Sequence, residues 1–145
     1  MKSLSLWQPW ASMLFVKEAS GYPVKRDETR HWPTNIRGRI AIHAAKTKEG
    51  SKDIDALDLA PFGLSYDTMP FGALIGTVNL VACHNTERIR SQRTDANLYW
   101  GNYGPGRYAF EVKDVKLFPS PLPYRGMQGF FDVPDSVLAQ LAEAQ

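Results

Sequence analysis

Apolar and polar residues alternate from Ser3 to Trp7, the period-two pattern of a short strand. Pro9 follows where a helix can begin, because a proline in the first turn loses no hydrogen bond. Trp10, Met13, Leu14 and Lys17 come next at spacings of three and four, which predicts a one-sided helix ending before Gly21 and Pro23. Residues 19–27 read as a polar loop, and residues 28–32 as a second strand closed by Pro33, which removes a donor. Residues 38–44 predict a third strand, with Ile40 and Ile42 on one face and Arg39, Ala41 and His43 on the other. Residues 51–59 predict a helix: Ser51 can cap it, Asp53 suits its first turn, and Ile54, Leu57 and Leu59 supply an apolar side. Residues 72–83 are almost wholly apolar, as in a long strand buried on both faces. Residues 84–105 are polar, and Asn102-Tyr103-Gly104-Pro105-Gly106 is a turn-rich loop. A strand over 107–115, an extended edge or loop over 119–123, a brief pairing over 130–133 and a terminal helix over 134–145 complete the pattern.

One strand, a helix, two strands, another helix and then mostly strands, with no internal repeat or linker, predict a single α+β domain over residues 1–145. Its simplest form is a small curled sheet or barrel with helices against its openings. The 145 residues suffice for a core of ordinary size. No apolar run approaches the ~20 residues that a bilayer-spanning helix needs, and the start lacks the apolar stretch of a secretory signal. Cys83 is the single cysteine, so no disulfide can form within the chain, and a reducing, cytoplasmic setting is the expectation.

Net charge is only +2, but its distribution is uneven. Residues 17–52 hold nine bases against four acids, residues 53–87 hold five acids and no lysine or arginine, and Arg88, Arg90 and Arg93 then cluster. Segregation of this kind can present one basic face to a polyanion. The alternative is that the acidic stretch folds back and neutralises the basic one.

Lys25-Arg26-Asp27-Glu28-Thr29-Arg30-His31-Trp32 carries the densest chemistry. On a strand, Glu28, Arg30 and Trp32 share a face. A guanidinium fork, a carboxylate and an indole plate side by side suit a ligand with an anionic part and a stackable ring, as in a nucleotide. The bland alternative is a salt bridge between Glu28 and Arg30, with Trp32 in the core.

Several segments together resemble the ASCH domain family. They are Ser5-Leu6-Trp7-Gln8-Pro9-Trp10-Ala11, Gly21 with Lys25-x-x-Glu28-x-Arg30-x-Trp32, Gly38-Arg39-Ile40-Ala41-Ile42-His43-Ala44, the block from Gly101 to Phe110 and the block from Gly126 to Phe131. The later blocks are similar to those of its bacterial and phage branch. Residues 48–70 and 84–98 have no counterpart, and Gly21 lies four residues before Lys25, where the family places its glycine two before the lysine.

The resemblance implies a PUA-like β-barrel of about five to six mixed strands with flanking α-helices. It also implies a cleft floored by Lys25, Glu28 and Arg30. Related PUA folds bind RNA, ASCH members are associated with RNA binding and processing, some small members hydrolyse acetylated cytidine, and ribonuclease activity has been attributed to others. Fold does not fix function, so the residues must carry the claim.

The amidohydrolase members carry a threonine nucleophile three residues after the lysine and a glutamate on a later strand. Here Glu28 stands in the threonine's place, Thr29 would point to the opposite face, and Ile75-Gly76-Thr77-Val78-Asn79-Leu80 supplies no acid. A ribonuclease working through the 2′-hydroxyl needs a base, a cation and an acid; Lys25, Glu28, Arg30, His43 and Lys46 include these types. Binding alone asks less. Trp7, Trp10, Trp32 and Tyr108 offer stacking planes, with core packing the expectation for Trp10. Arg30, Arg37, Arg39, Lys46 and Lys48 can meet phosphates, while Gln8 and Gln128 either read a base edge or satisfy backbone groups. His31, His43 and His84 lack ligand spacing, and no phosphate loop or nucleophile elbow is present.

These readings converge on a domain that binds single-stranded RNA or a nucleotide. Lys25, Glu28 and Arg30 are its candidate catalytic centre, with Trp7, Gln8, Trp32, Arg39, His43, Lys46 and Gln128 as candidate binding residues. No cofactor is predicted, and a magnesium or other divalent ion held by phosphates and one carboxylate stays open. An enzyme acting on RNA or a modified nucleoside and a protein-interaction module are the alternatives. No membrane partner is expected.

Overall fold

A computed structural model describes residues 1–143; the last two residues of the expected terminal helix lie outside the described residues. Six strands form one mixed sheet: β1 (Lys2–Leu6), β2 (Asp27–Arg30), β3 (Gly38–Ala44), β4 (Ala73–Asn85), β5 (Tyr108–Pro123) and β6 (Phe130–Asp132), in the order β2-β5-β4-β3-β1-β6. Among the described residues, five α-helices accompany them: α1 (Trp10–Met13), α2 (Ala56–Leu59), α3 (Thr86–Ile89), α4 (Asp95–Tyr99) and α5 (Asp135–Glu143). This is the expected α+β class, with the expected number of mixed strands and flanking helices.

The chain packs as two compact units. The first comprises Met1–Ser12, Ile40–Thr77 and the stretch beginning at Lys116; the second comprises Met13–Arg39 and Val78–Val115. In the first, β1 pairs parallel with β3, setting Ser5 opposite His43, and antiparallel with β6. Ala41, Leu74, Phe131 and Val133 are buried together there, with Phe118, Leu122, Tyr124, Val137 and Leu138 packed on them. In the second, β2 runs antiparallel to β5, with Glu28 opposite Phe110 and Arg30 opposite Tyr108. Ile89, Tyr103 and Ala109 form a buried cluster with Leu98 against it.

Several element boundaries differ from the sequence reading. The helix expected through Lys17 stops at Met13, because Val16 and Lys17 turn back along Val24 and Pro23 through hydrogen bonds across the turn at Gly21. The expected helix over 51–59 breaks into a 3-10 turn (Glu49–Lys52), α2 and a second 3-10 turn (Ala60–Phe62). Asp55, not Ser51, caps α2 by accepting from the Leu57 N–H, whereas the Ser51 hydroxyl donates to the Lys48 carbonyl. Strand β4 is buried on both faces only over Ala73–Gly76 and is partly open beyond. The polar stretch after it holds two short helices ahead of the expected loop: Asn85 and Thr94 cap α3 and α4, each holding an orphan N–H of a first turn. Strand β5 runs unbroken from 108 to 123, with Asp114 in the left-handed region (φ 50°).

Candidate functional site

Strand β2 begins at Asp27, one residue earlier than expected, and ends at Arg30, so Trp32 lies beyond it. Alternation then buries Asp27 and Thr29 on one face and leaves Glu28 and Arg30 half-buried on the other. Lys25 folds under the strand. Its ammonium donates to Glu28 Oε1 at 2.8 Å and to the Asp27 carbonyl at 2.8 Å, and Arg30 Nε donates to Glu28 Oε2 at 3.0 Å. The three side chains are 1%, 13% and 23% exposed for Lys25, Glu28 and Arg30. Burial alone would raise the Glu28 pKa, but the Lys25 and Arg30 charges and their hydrogen bonds outweigh it and hold the carboxyl below its ordinary value. The ammonium, carboxylate and guanidinium thus form a closely packed ion triad, the Glu28–Arg30 salt bridge of the bland alternative joined by Lys25, and none of the three lines the cavity described below.

Trp32 stands beside this triad. Its ring meets Phe110 edge-on at 5.3 Å, and the Arg30 guanidinium lies 6.0 Å from its centroid. Arg30 and Trp32 thus adjoin, although Trp32 is not on the strand. On the opposite face, Thr29 Oγ1 accepts from the Asn102 N–H at 3.0 Å, so the threonine is engaged away from the triad. Arg39 donates to the Asp114 carbonyl and is half-buried.

A second polar network in this unit went unread in the sequence. Arg93 grips Asp27 with two bonds (Nε to Oδ2 2.6 Å, Nη2 to Oδ1 3.0 Å) and also donates to Glu111 at 3.1 Å. Tyr103 donates to the same Asp27. His84 and Arg26 pair with Glu111 at 2.8 and 3.6 Å. Burial and the neighbouring Asp27 charge push the Tyr103 phenol up, so it remains a donor. Part of the basic charge is therefore spent inside the fold, on Asp27, Glu28 and Glu111.

The first unit holds a cavity of about 760 Å³ lined by Ser5, His43, Lys46, Phe71, Tyr124, Arg125 and Gln128 among others. Three candidate binding residues, His43, Lys46 and Gln128, meet there. The β1–β3 register brings Ser5 beside His43, with Ser5 Oγ 2.8 Å from His43 Nδ1 and the Tyr124 carbonyl 2.7 Å from Nε2. A carbonyl oxygen only accepts, so Nε2 carries the proton and the neutral ring's Nδ1 accepts from the Ser5 hydroxyl. Burial lowers the His43 pKa, partly offset by the Tyr124 bond, which favours this neutral form. A Cβ placed on Gly126 would come within 2.6 Å of His43 Cε1, so the Gly126 backbone lies directly against the imidazole. Lys48 reaches over Phe71 at 5.3 Å.

Gln8 and Trp7 serve differently. Gln8 is buried, donating to Ser12 Oγ at 2.8 Å and the Pro70 carbonyl at 2.9 Å while accepting from the Ser12 N–H at 3.0 Å. Of its two expected roles it performs the backbone-satisfying one. Trp7 is 48% exposed. Trp10 is half-buried and packs on Gly50, where a Cβ would come within 2.7 Å of its ring. Ser5, Tyr124 and Arg125 were missed as cavity residues. Ser5 looked like one polar position in an alternating strand, and only the pairing register gives it a histidine partner. Among the described residues, no three His, Cys, Asp or Glu side chains gather as metal ligands, and no helix is long and apolar enough to cross a membrane.

No family model matches the chain. Over 99 residues, 63% of its length, it is 32% identical to "Activating signal cointegrator 1" of Homo sapiens and 31% identical to the Mus musculus protein of that name. It spans only 16% of the length of each. Among solved structures, ASCH from Zymomonas mobilis aligns over 98% of this chain and 93% of its own, with TM-score 0.60 and 18% identity. Two point mutants of the same protein align over 98% and 99% of this chain and 96% and 94% of theirs, with TM-scores 0.57 and 0.53 and identities of 16% and 17%. A six-stranded mixed sheet with flanking helices makes this an α+β protein. The chain has the ASCH fold, as its sequence blocks implied.

Proposed function

We propose that this chain binds single-stranded RNA or a nucleotide, in a cytoplasmic role in RNA processing or metabolism. The observation that carries the reading is the first unit's cavity, where Lys46 and Arg125 line one wall system with the aromatic rings of Phe71 and Tyr124 and the amide of Gln128. Cations meet phosphates, rings stack on bases, and an amide reads a base edge. The association of ASCH domains with RNA, and the likeness to ASCH structures, support it. In the second unit, Arg30 and Trp32 offer a phosphate contact and a stacking plane of their own. Lys25 and Glu28 act there as the support that fixes the guanidinium.

Fluorescence anisotropy with a labelled single-stranded oligoribonucleotide tests this. Each phosphate neutralised steepens the dependence of log affinity on log salt by about 0.7 for a single strand. Lys46→Ala with Arg125→Ala should therefore weaken binding and reduce the slope by roughly 1.4, since two cations are removed. A salt-independent affinity, or one untouched by the double substitution, would remove the cavity from the reading.

A further inference from the structure

The hydroxyl–imidazole pair at Ser5 and His43 has the arrangement that activates an oxygen nucleophile: hydroxyl on base, and base oriented by a third group. The base–hydroxyl distance is 2.8 Å, and the orienting distance to the Tyr124 carbonyl is 2.7 Å. That carbonyl fixes the tautomer as a carboxylate does elsewhere, although it carries no charge with which to stabilise an imidazolium. Two further observations separate the pair from an ordinary core hydrogen bond. Both residues line the 760 Å³ cavity, a volume in the range of small-molecule sites. Gly126, whose backbone leaves no room for a side chain, packs against Cε1 and Nδ1 of the ring and close to Ser5 Oγ, so the 124–128 segment bears directly on the hydroxyl–imidazole contact.

The geometry points to Ser5 as a nucleophile and His43 as its general base in acyl transfer from activated carboxylic esters, favouring acyl groups that carry an anion for Lys46 and Arg125. Ser5 Oγ adds to the carbonyl carbon while its proton passes to His43 Nδ1. The bond to the leaving alcohol then breaks, and His43 returns that proton to the departing oxygen. Water adds to the acyl-serine with a proton again moving to Nδ1, the Ser5 C–O ester bond breaks, and Oγ recovers the proton. The net reaction is ester plus water to acid plus alcohol. This activity goes beyond RNA binding and does not require it.

The test uses the full chain without RNA, with 4-nitrophenyl acetate and the mono-4-nitrophenyl ester of succinic acid as probes. Nitrophenol release is followed optically, and acylated peptides are mapped by mass spectrometry after acid quench. The expected result is an acyl group on Ser5, faster turnover of the succinate ester, and no acyl-peptide at that position in Ser5→Ala. His43→Asn should slow Ser5 acylation by about 10²-fold or more, the usual worth of a positioned base. Acylation confined to lysines, or Ser5 acylation undiminished in a folded His43→Asn protein, would overturn the proposal. Because the wild-type peptide map decides the first point alone, a variant that fails to fold does not rescue it.

Discussion

Alanine at position 126 probes the cavity with a single methyl group. Gly126 is not among the positive-φ glycines, so the backbone accepts alanine without strain, and the effect isolates the steric conflict. The new Cβ would lie 2.6 Å from His43 Cε1, 2.8 Å from Nδ1 and 3.1 Å from Ser5 Oγ. Ordinary carbon contacts are about 3.5–4.0 Å, so ring and loop must separate by roughly 1 Å. The imidazole is pinned at both nitrogens, at 2.8 and 2.7 Å, and a displacement of that size carries at least one bond past the ~3.2 Å limit of a good hydrogen bond. A lost bond costs about 0.5–1.5 kcal/mol and overpacking about 1–3 kcal/mol, which together put the destabilisation near 3 kcal/mol. For a chain of this size that is a fall in Tm of roughly 10 °C. Urea unfolding reads the energy, and the ¹⁵N shifts of the His43 ring read the tautomer. A loss under about 0.5 kcal/mol with unchanged ring shifts would show that the 124–128 segment gives way freely, and that Gly126 does not hold the dyad.

The ion triad makes a second prediction. Glu28→Ala should cost about 3–5 kcal/mol by leaving a buried ammonium without its carboxylate, whereas Lys25→Met combined with Glu28→Leu should recover most of it; equal stabilities for the two proteins in urea would contradict the burial of the pair. Arg93→Lys keeps the charge but loses the fork on Asp27, and should cost about 1.5–3 kcal/mol in the same assay, an unchanged midpoint being the contrary result. Acid should destabilise the fold in two stages. The folded-state pKa of His43 is lowered, so the unfolded chain binds its proton more readily and stability declines as pH falls below the ordinary value of 6.5. The Glu28 pKa is also lowered, so its contribution is full above the ordinary value of 4.5 and disappears as pH falls through the folded one. Stability against pH for His43→Asn should lack the first stage and Glu28→Gln the second; curves matching the wild type would refute the assignments.

Elements with a strong local period were readable residue by residue. The alternation of residues 3–7 and 38–44 corresponds to β1 and β3, and the apolar run beginning at Ala73 to β4. Helices were harder, because α1, α2, α3 and α4 are only four or five residues long. A single turn shows no periodicity, and its one local signal is a cap, such as Asn85 before Glu87 or Thr94 before Asn97. The hairpin that cuts α1 short was signalled by Gly21 and Pro23, yet whether Lys17 continues a helix or pairs with Pro23 depends on what packs against it.

The chain by itself determined which side chains share a strand face, because alternation along β2 and β3 is a property of the backbone and needs no neighbour. It thereby set Glu28 with Arg30 and removed Thr29 from their company. Only the tertiary structure decided what those faces meet. Parallel pairing of β1 with β3 sets Ser5 on His43, the return of the chain after β5 brings the Tyr124 carbonyl and Gly126 to the same ring, and Arg93 arrives on Asp27 from 66 residues away. Such contacts are fixed by register and long-range packing, whose free energy is shared over many residues, so no local run of sequence encodes them.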